Sequence, residues 1–225
     1  MILDALGSVL AEAVGILMSP LPIVAVILML FTARAKTNSF LFLLGWIVGL
    51  SVVGAIVLIV ADGADVSTDA SASDGSGGVL VAIGALLIFL SLRRWRSRPR
   101  HGEAPTPPKW MAKIDGLGPI GALGLGIVLS AVNPKNLLLA VGAATSVGQA
   151  GLSTGDTVIT WTIFVVIASL SIMLPVAYRL VRGEHAQATL DEAKSWLQAN
   201  NAVVMAVLFL AIGAKILGNG LSTLS

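Results

Sequence analysis

Six long apolar runs, at about residues 6–32, 38–61, 77–93, 119–148, 157–179 and 202–220, do most to narrow what this chain can fold into. An α-helix needs about 20 mostly apolar residues to cross a hydrocarbon core of roughly 30 Å. Backbone amides and carbonyls find no water there, so each segment must bond internally, as a helix does. The fold class read from the sequence is therefore all-α, a polytopic membrane protein with six transmembrane helices. Charged residues make up 12% of the chain and mean hydropathy is +0.92, whereas a soluble domain carries about 25% charged residues. Met1-Ile2-Leu3-Asp4 has no Lys or Arg ahead of the first run, so that run is read as a retained helix and not as a signal peptide.

Basic residues give the orientation, because positive connections stay cytoplasmic. Arg34 and Lys36 follow the first run. Arg93, Arg94, Arg96, Arg98, Arg100, Lys109 and Lys113 follow the third, and Arg179, Arg182 and Lys194 the fifth. Of the 14 basic residues only Lys135 and Lys215 lie within runs, and the opposite side has none. Both termini are thus expected outside a plasma membrane crossed several times. Trp95 among the arginines is read as an anchor to anionic lipid headgroups, with no nucleic acid partner expected. The acidic, Ser- and Gly-rich stretch from Asp62 through Asp65, Asp69 and Asp74 misses calcium-loop spacing and reads as a solvated loop. Residues 110–117 and 184–199 are expected as short interfacial helices.

The chain also resembles itself. Gly15-Ile16-Leu17-Met18-Ser19 matches Gly126-Ile127-Val128-Leu129-Ser130, with Pro20 and Pro22 after the first copy and Pro134 after the second. Ala82-Ile83-Gly84-Ala85 matches Ala211-Ile212-Gly213-Ala214, and Trp46 matches Trp161 in the same order. Three spans per copy is an odd number, so the second copy enters from the other face: a 3+3 inverted-topology repeat, of the kind found in secondary transporters. The expected organisation is a first three-helix repeat over 1–92, a basic cytoplasmic linker over 93–118 and a second repeat over 119–225.

Runs one and four are over-long, about 40 and 45 Å as straight helix. Proline removes an amide donor and clashes one turn back, so both are expected to break, at Pro20 and Pro22 and at Pro134. Freed backbone groups there must be buried in protein or line a wet cavity. Ser130-Ala131-Val132-Asn133-Pro134-Lys135-Asn136 adds an ammonium and two amides near the bilayer midplane, where a charge costs roughly 2.5 kcal/mol or more unless paired or hydrated. Lys135 beside a half-helix N-terminus can attract an anion. It can instead staple broken-helix carbonyls, or carry a proton once burial lowers its basicity. Asn133 and Asn136 can cap the broken ends or bond a ligand. The candidate substrate-binding or gating set is Ser19, Pro20, Pro22, Ser130, Asn133, Pro134, Lys135 and Asn136. Glu12 and Lys215, at similar depths, are a candidate ion pair or proton-coupling site, with snorkelling as the alternative. Gly45-x-x-x-Gly49 offers a homodimer face or close packing within the bundle.

Cysteine is absent and His101 and His185 lie in polar connections, so neither a metal nor a cofactor is expected. Phosphate-loop, H-E-x-x-H and Ser/His/Asp patterns are also lacking, and the chain is not read as an enzyme.

Ser19-Pro20-Leu21-Pro22, Asn133-Pro134-Lys135-Asn136-Leu137-Leu138-Leu139 and the 3+3 arrangement resemble the GAP family of peptidoglycolipid or glycopeptidolipid addressing proteins. That family includes the Sap-like proteins of mycobacteria and is grouped with the lysine-exporter (LysE) superfamily of six-span exporters. The resemblance covers essentially the whole chain. It implies an actinobacterial plasma membrane, membrane lipids and a lipid or small-molecule substrate as partners, and a larger lipid exporter nearby. The expected function is export of a cell-envelope glycolipid or other polar, anionic molecule by alternating access. Proton-coupled export of an amino acid or cation, and a non-transporting scaffold for a larger exporter, are the alternatives.

Overall fold

A computed structural model describes residues 2–63, 74–98, 114 and 116–224. Eight α-helices occur among them: α1 (Ile2–Leu17), α2 (Pro20–Met29), α3 (Ala35–Gly63), α4 (Asp74–Arg96), α5 (Pro119–Ile127), α6 (Pro134–Gly148), α7 (Thr154–Arg182) and α8 (Gln187–Leu224). A π turn, Val128–Val132, joins α5 to α6, and a 3₁₀ turn, Gly183–Ala186, joins α7 to α8. No strand occurs among the described residues, as the all-α reading expects. Asp65, Asp69, Trp110 and Met111, which carry the expected loop and one expected interfacial helix, lie outside the described residues.

Two helical stretches, Ala35–Val60 and Thr154–Ser222, are long and apolar enough to cross a membrane. Two bent pairs pass the same test as units: α1 with α2, bent by 52°, and Pro119–Val132 with α6, bent by 62°. The chain therefore holds two to four candidate spans by length and composition among the described residues. Both over-long runs break at proline, where the sequence places the breaks. The second interfacial segment differs from expectation. Residues 187–199 continue without interruption into the last apolar run as one 38-residue helix, because no Gly or Pro lies between Gly183 and Gly213.

The chain forms two compact units. The first, residues 1–65 and 107–195, packs α1 against α6 and α7, and α3 against α5, α6 and α7. Glycines set its tightest approach. A Cβ on Gly45 would lie 2.1 Å from the Leu123 carbonyl oxygen, and one on Gly126 would lie 2.2 Å from that of Phe42. Backbone meets backbone there, as small residues permit in membrane bundles. The Gly45-x-x-x-Gly49 face is thus filled by this chain's own α5 and π turn. Along α3, Phe42, Trp46, Leu50 and Val53 are buried while Phe40, Leu44, Val48, Val52, Ile56 and Ile59 are exposed. A helix apolar on both faces suits a lipid environment and not water.

The second unit, residues 66–106 and 196–225, pairs α4 with the later part of α8. A Cβ on Gly84 would lie 2.6 Å from the Leu217 backbone nitrogen, and one on Gly213 would lie 3.0 Å from the Gly84 carbonyl oxygen. Ser91 Oγ donates to the Ala206 carbonyl at 2.7 Å. Contacts 84 with 213 and 91 with 206 run in opposite senses, so the two helices are antiparallel. The two Ala-Ile-Gly-Ala motifs matched in the sequence are the ones that touch.

Candidate functional site

The site lies in the first unit, where the two helix breaks meet. At the first break, Pro20 occupies the first position of α2 and has no N–H for the Ile16 carbonyl. Ser19 N–H turns to Ile16 instead, at 3.0 Å. Gly15, whose carbonyl would accept from Ser19 in a continuous helix, loses that donor. Ser19 itself adopts extended backbone (φ −75, ψ 108) as the N-cap of α2. Pro22, at the third position, costs no bond either, since the first-turn amides of a helix have no intrahelical acceptor.

The second break follows the same logic with a different detour. Asn133 N–H reaches back five residues to the Val128 carbonyl at 3.0 Å. That leaves the Leu129 carbonyl with neither an α partner nor a π partner, because the residue five positions on is Pro134. Asn133 (φ −61, ψ 117) is the N-cap of α6, its side chain accepting from Lys135 N–H at 3.2 Å. Pro134 sits at the first helical position, where its missing donor is harmless.

The Gly15 and Leu129 carbonyls each receive a side-chain donor, and both donors stand on the first turn of α6. Lys135 Nζ donates to the Gly15 carbonyl at 2.5 Å, across 120 positions of chain. Asn136 Nδ2 donates to the Leu129 carbonyl at 2.9 Å. Ser19 Oγ then donates to Asn136 Oδ1 at 2.8 Å, so the cap of one break is bonded to the staple of the other. Ser19 and Asn136 are 2% and 0% exposed. At that depth an unmade bond costs the full desolvation of the group. Lys135 is half-buried, and an ammonium has three donors.

Of the sequence-derived candidates, Ser19, Pro20, Asn133, Pro134, Lys135 and Asn136 therefore form one network, with Pro22 buried beside it. Ser130 is fully buried at the π turn, donates to the Ile127 carbonyl at 3.1 Å and faces Gly49, where a Cβ would lie 2.0 Å from its Oγ. Ser130 stands apart from the Ser19–Asn136 bond. The equivalence by cap position sets Ser19-Pro20 against Asn133-Pro134, displaced by three residues from the pentapeptide match; the second break absorbs those residues in its π turn. Leu21 thereby stands where Lys135 stands, and Pro22 where Asn136 stands. Glu12 lies on α1 one turn before Gly15, while Lys215 lies on α8 in the other unit.

Sequence reasoning missed two features. The Gly15 carbonyl is an acceptor created only by the break, visible in the sequence as the fifth residue before Pro20. Thr160 is buried on α7 with its hydroxyl unpartnered among the described residues, and the buried Trp46 and Trp161 indole N–H groups share that condition.

No curated protein and no solved structure gives a significant match to this chain. A family model described as Sap, sulfolipid-1-addressing protein, matches residues 9–222. With nearly the whole length matched, broken helices included, the chain belongs to the Sap, sulfolipid-1-addressing, family.

Proposed function

We propose that this protein moves an anionic cell-envelope lipid, or a similar polar molecule, outward across the plasma membrane by alternating access of two three-helix halves. The observation that carries the reading is the meeting of two proline-broken helices at a buried polar network with a lysine ammonium in it. Irregular backbone at membrane depth is tolerated where it is buried or lines a cavity, and broken helices mark the sites of many transporters. The family description adds a lipid with a sulfo headgroup, an anion that an ammonium beside a helix N-terminus suits. A cationic ligand suits it less, which sets proton-coupled export of a cation behind the lipid reading.

A six-span, 3+3 arrangement with both termini outside goes with this proposal. Its support is the bend in both over-long runs, the antiparallel contact of the two Ala-Ile-Gly-Ala motifs and the basic connections. Within the helical stretch Thr154–Ser222, α7 has 29 residues and α8 has 38, about 44 and 57 Å of rise, each enough for one crossing. In the full proposal Lys135, Ser19 and Asn136 gate the pathway.

The second reading is a non-transporting scaffold that serves a larger lipid exporter. It is favoured by one observation: Lys135, Ser19 and Asn136 all direct donors to groups of this chain. Proteoliposome flux with anionic glycolipid, together with mass spectrometry of lipids retained by wild type and Lys135→Ala, separates the two. The transport reading expects flux and a retained anionic lipid, both lost in a variant that still folds and inserts. Absence of flux and of retained lipid in the wild type, with co-purification of a larger exporter, supports the scaffold.

A further inference from the structure

We propose that the two helix breaks are a single coupled hinge, latched by Lys135 and by the Ser19–Asn136 pair, so that neither break changes its bend without disturbing the other. Each break frees carbonyls that its own helix cannot satisfy, and in each break one of them takes a side-chain donor: Gly15 in the first and Leu129 in the second. The two donors that replace the lost amides are consecutive residues of one helix turn, Lys135 and Asn136. Lys135 belongs to the second break but completes the first. Asn136 completes the second break, yet its oxygen is held by Ser19, the cap of the first.

Straightening of α1 onto α2 would return Ser19 N–H to the Gly15 carbonyl and displace Lys135. It would also take Ser19 out of its extended capping conformation and withdraw its hydroxyl from Asn136. Freed at its oxygen, Asn136 loses the contact that aims its amide at Leu129, and the π turn loses its staple. The reverse sequence holds for straightening at Pro134. The latch is asymmetric, because Leu21 and Pro22, at the equivalent positions of α2, have no side-chain donors. All cross-bonds therefore come from α6 toward the first break or from the Ser19 cap toward α6. The coupling concerns side-chain bonds that join the two breaks and stands apart from transport. Joined to the transport reading, it supplies the element that makes both halves move together, and an anion competing for the ammonium would release it.

The test reads conformation, not flux, so its failure is distinguishable from failure of the transport reading. The chain has no cysteine, which allows spin labels at Leu10→Cys with Leu28→Cys across the first break, and at Ile120→Cys with Leu138→Cys across the second. Distances are measured by pulsed electron resonance on the full chain in lipid nanodiscs. Lys135→Met, a change on α6, is expected to broaden or shift the 10–28 distribution by several ångströms. Ser19→Ala, a change before α2, is expected to do the same to the 120–138 distribution. An unchanged distant pair in either variant overturns the coupling. If Lys135→Met is not recovered folded, Ser19→Ala, which removes one hydroxyl, decides alone.

Discussion

Lys135 illustrates how much a single side chain can be asked to do where the backbone has been interrupted. Its bond to the Gly15 carbonyl involves a charged donor in a half-buried setting, a class worth about 1.5–3 kcal/mol. Lys135→Met keeps the stem and removes the ammonium; a loss of that size is expected as a lower melting temperature in detergent, with Lys135→Arg closer to wild type. Gly49 offers a cleaner comparison. A Cβ there meets Ser130 Oγ, a side-chain atom, whereas one on Gly45 meets the Leu123 backbone. Gly49→Ala and Gly45→Ala should each destabilise by about 1–3 kcal/mol through overpacking. Adding Ser130→Ala should recover much of the first loss and none of the second. Equal recovery in both backgrounds would show that relaxation, not the named atom, sets the cost. The sequence made Lys135 conspicuous because a charge in an apolar run is costly wherever it falls. It could not reveal the Gly15 carbonyl or Ser19 as partners, since contacts 120 and 117 positions apart leave no local pattern.

At the scale of elements, the breaks were legible and the continuities were not. Proline within an over-long apolar run leaves few outcomes, and bends of 52° and 62° follow from its missing donor and its ring. Their differing repair, a 3₁₀-type bond at Ser19 and a π turn before Asn133, depends on spacing: the second copy has three more residues between its glycine and its proline. The 38-residue α8 escaped reading because its sequence changes from amphipathic to apolar without a helix breaker, so composition suggested a boundary that the backbone does not have. Where α7 ends, the backbone does leave helical geometry. Gly183 has φ 57 and ψ −133, a region open essentially to glycine alone. A Cβ there would meet nothing within 4 Å, so any cost is backbone strain. Gly183→Ala is expected to destabilise by about 1–3 kcal/mol, read as a lower thermal midpoint, while Gly78→Ala, which is equally open but helical, should be neutral or slightly stabilising. A neutral Gly183→Ala would mean that the turn relaxes to another conformation.

The whole molecule is decided by the solvent it faces. Ile120, Leu138, Leu174 and Val181 are 87%, 71%, 62% and 84% exposed, and side chains of this kind around the helices need lipid in place of water. Membership of the sulfolipid-addressing family, shown by a match over residues 9–222, was legible from the two proline elements taken together with the 3+3 arrangement of the runs. Topology rests on charge, and it can be tested without any assumption about substrate. In the six-span proposal Ser97, after the arginines of α4, faces the cytoplasm, and Ser153, the N-cap of α7, faces outward. In this cysteine-free chain, Ser153→Cys should react with a membrane-impermeant maleimide on intact cells. Ser97→Cys should react only after permeabilisation. Three runs separate the amino terminus from Ser97 in the second basic connection, and run four alone separates Ser97 from Ser153, so labelling of both from one face would mean that run four fails to cross. Labelling of both positions from one face would therefore remove the inverted repeat, and with it alternating access between two like halves, while the bonds that couple the two breaks would stand.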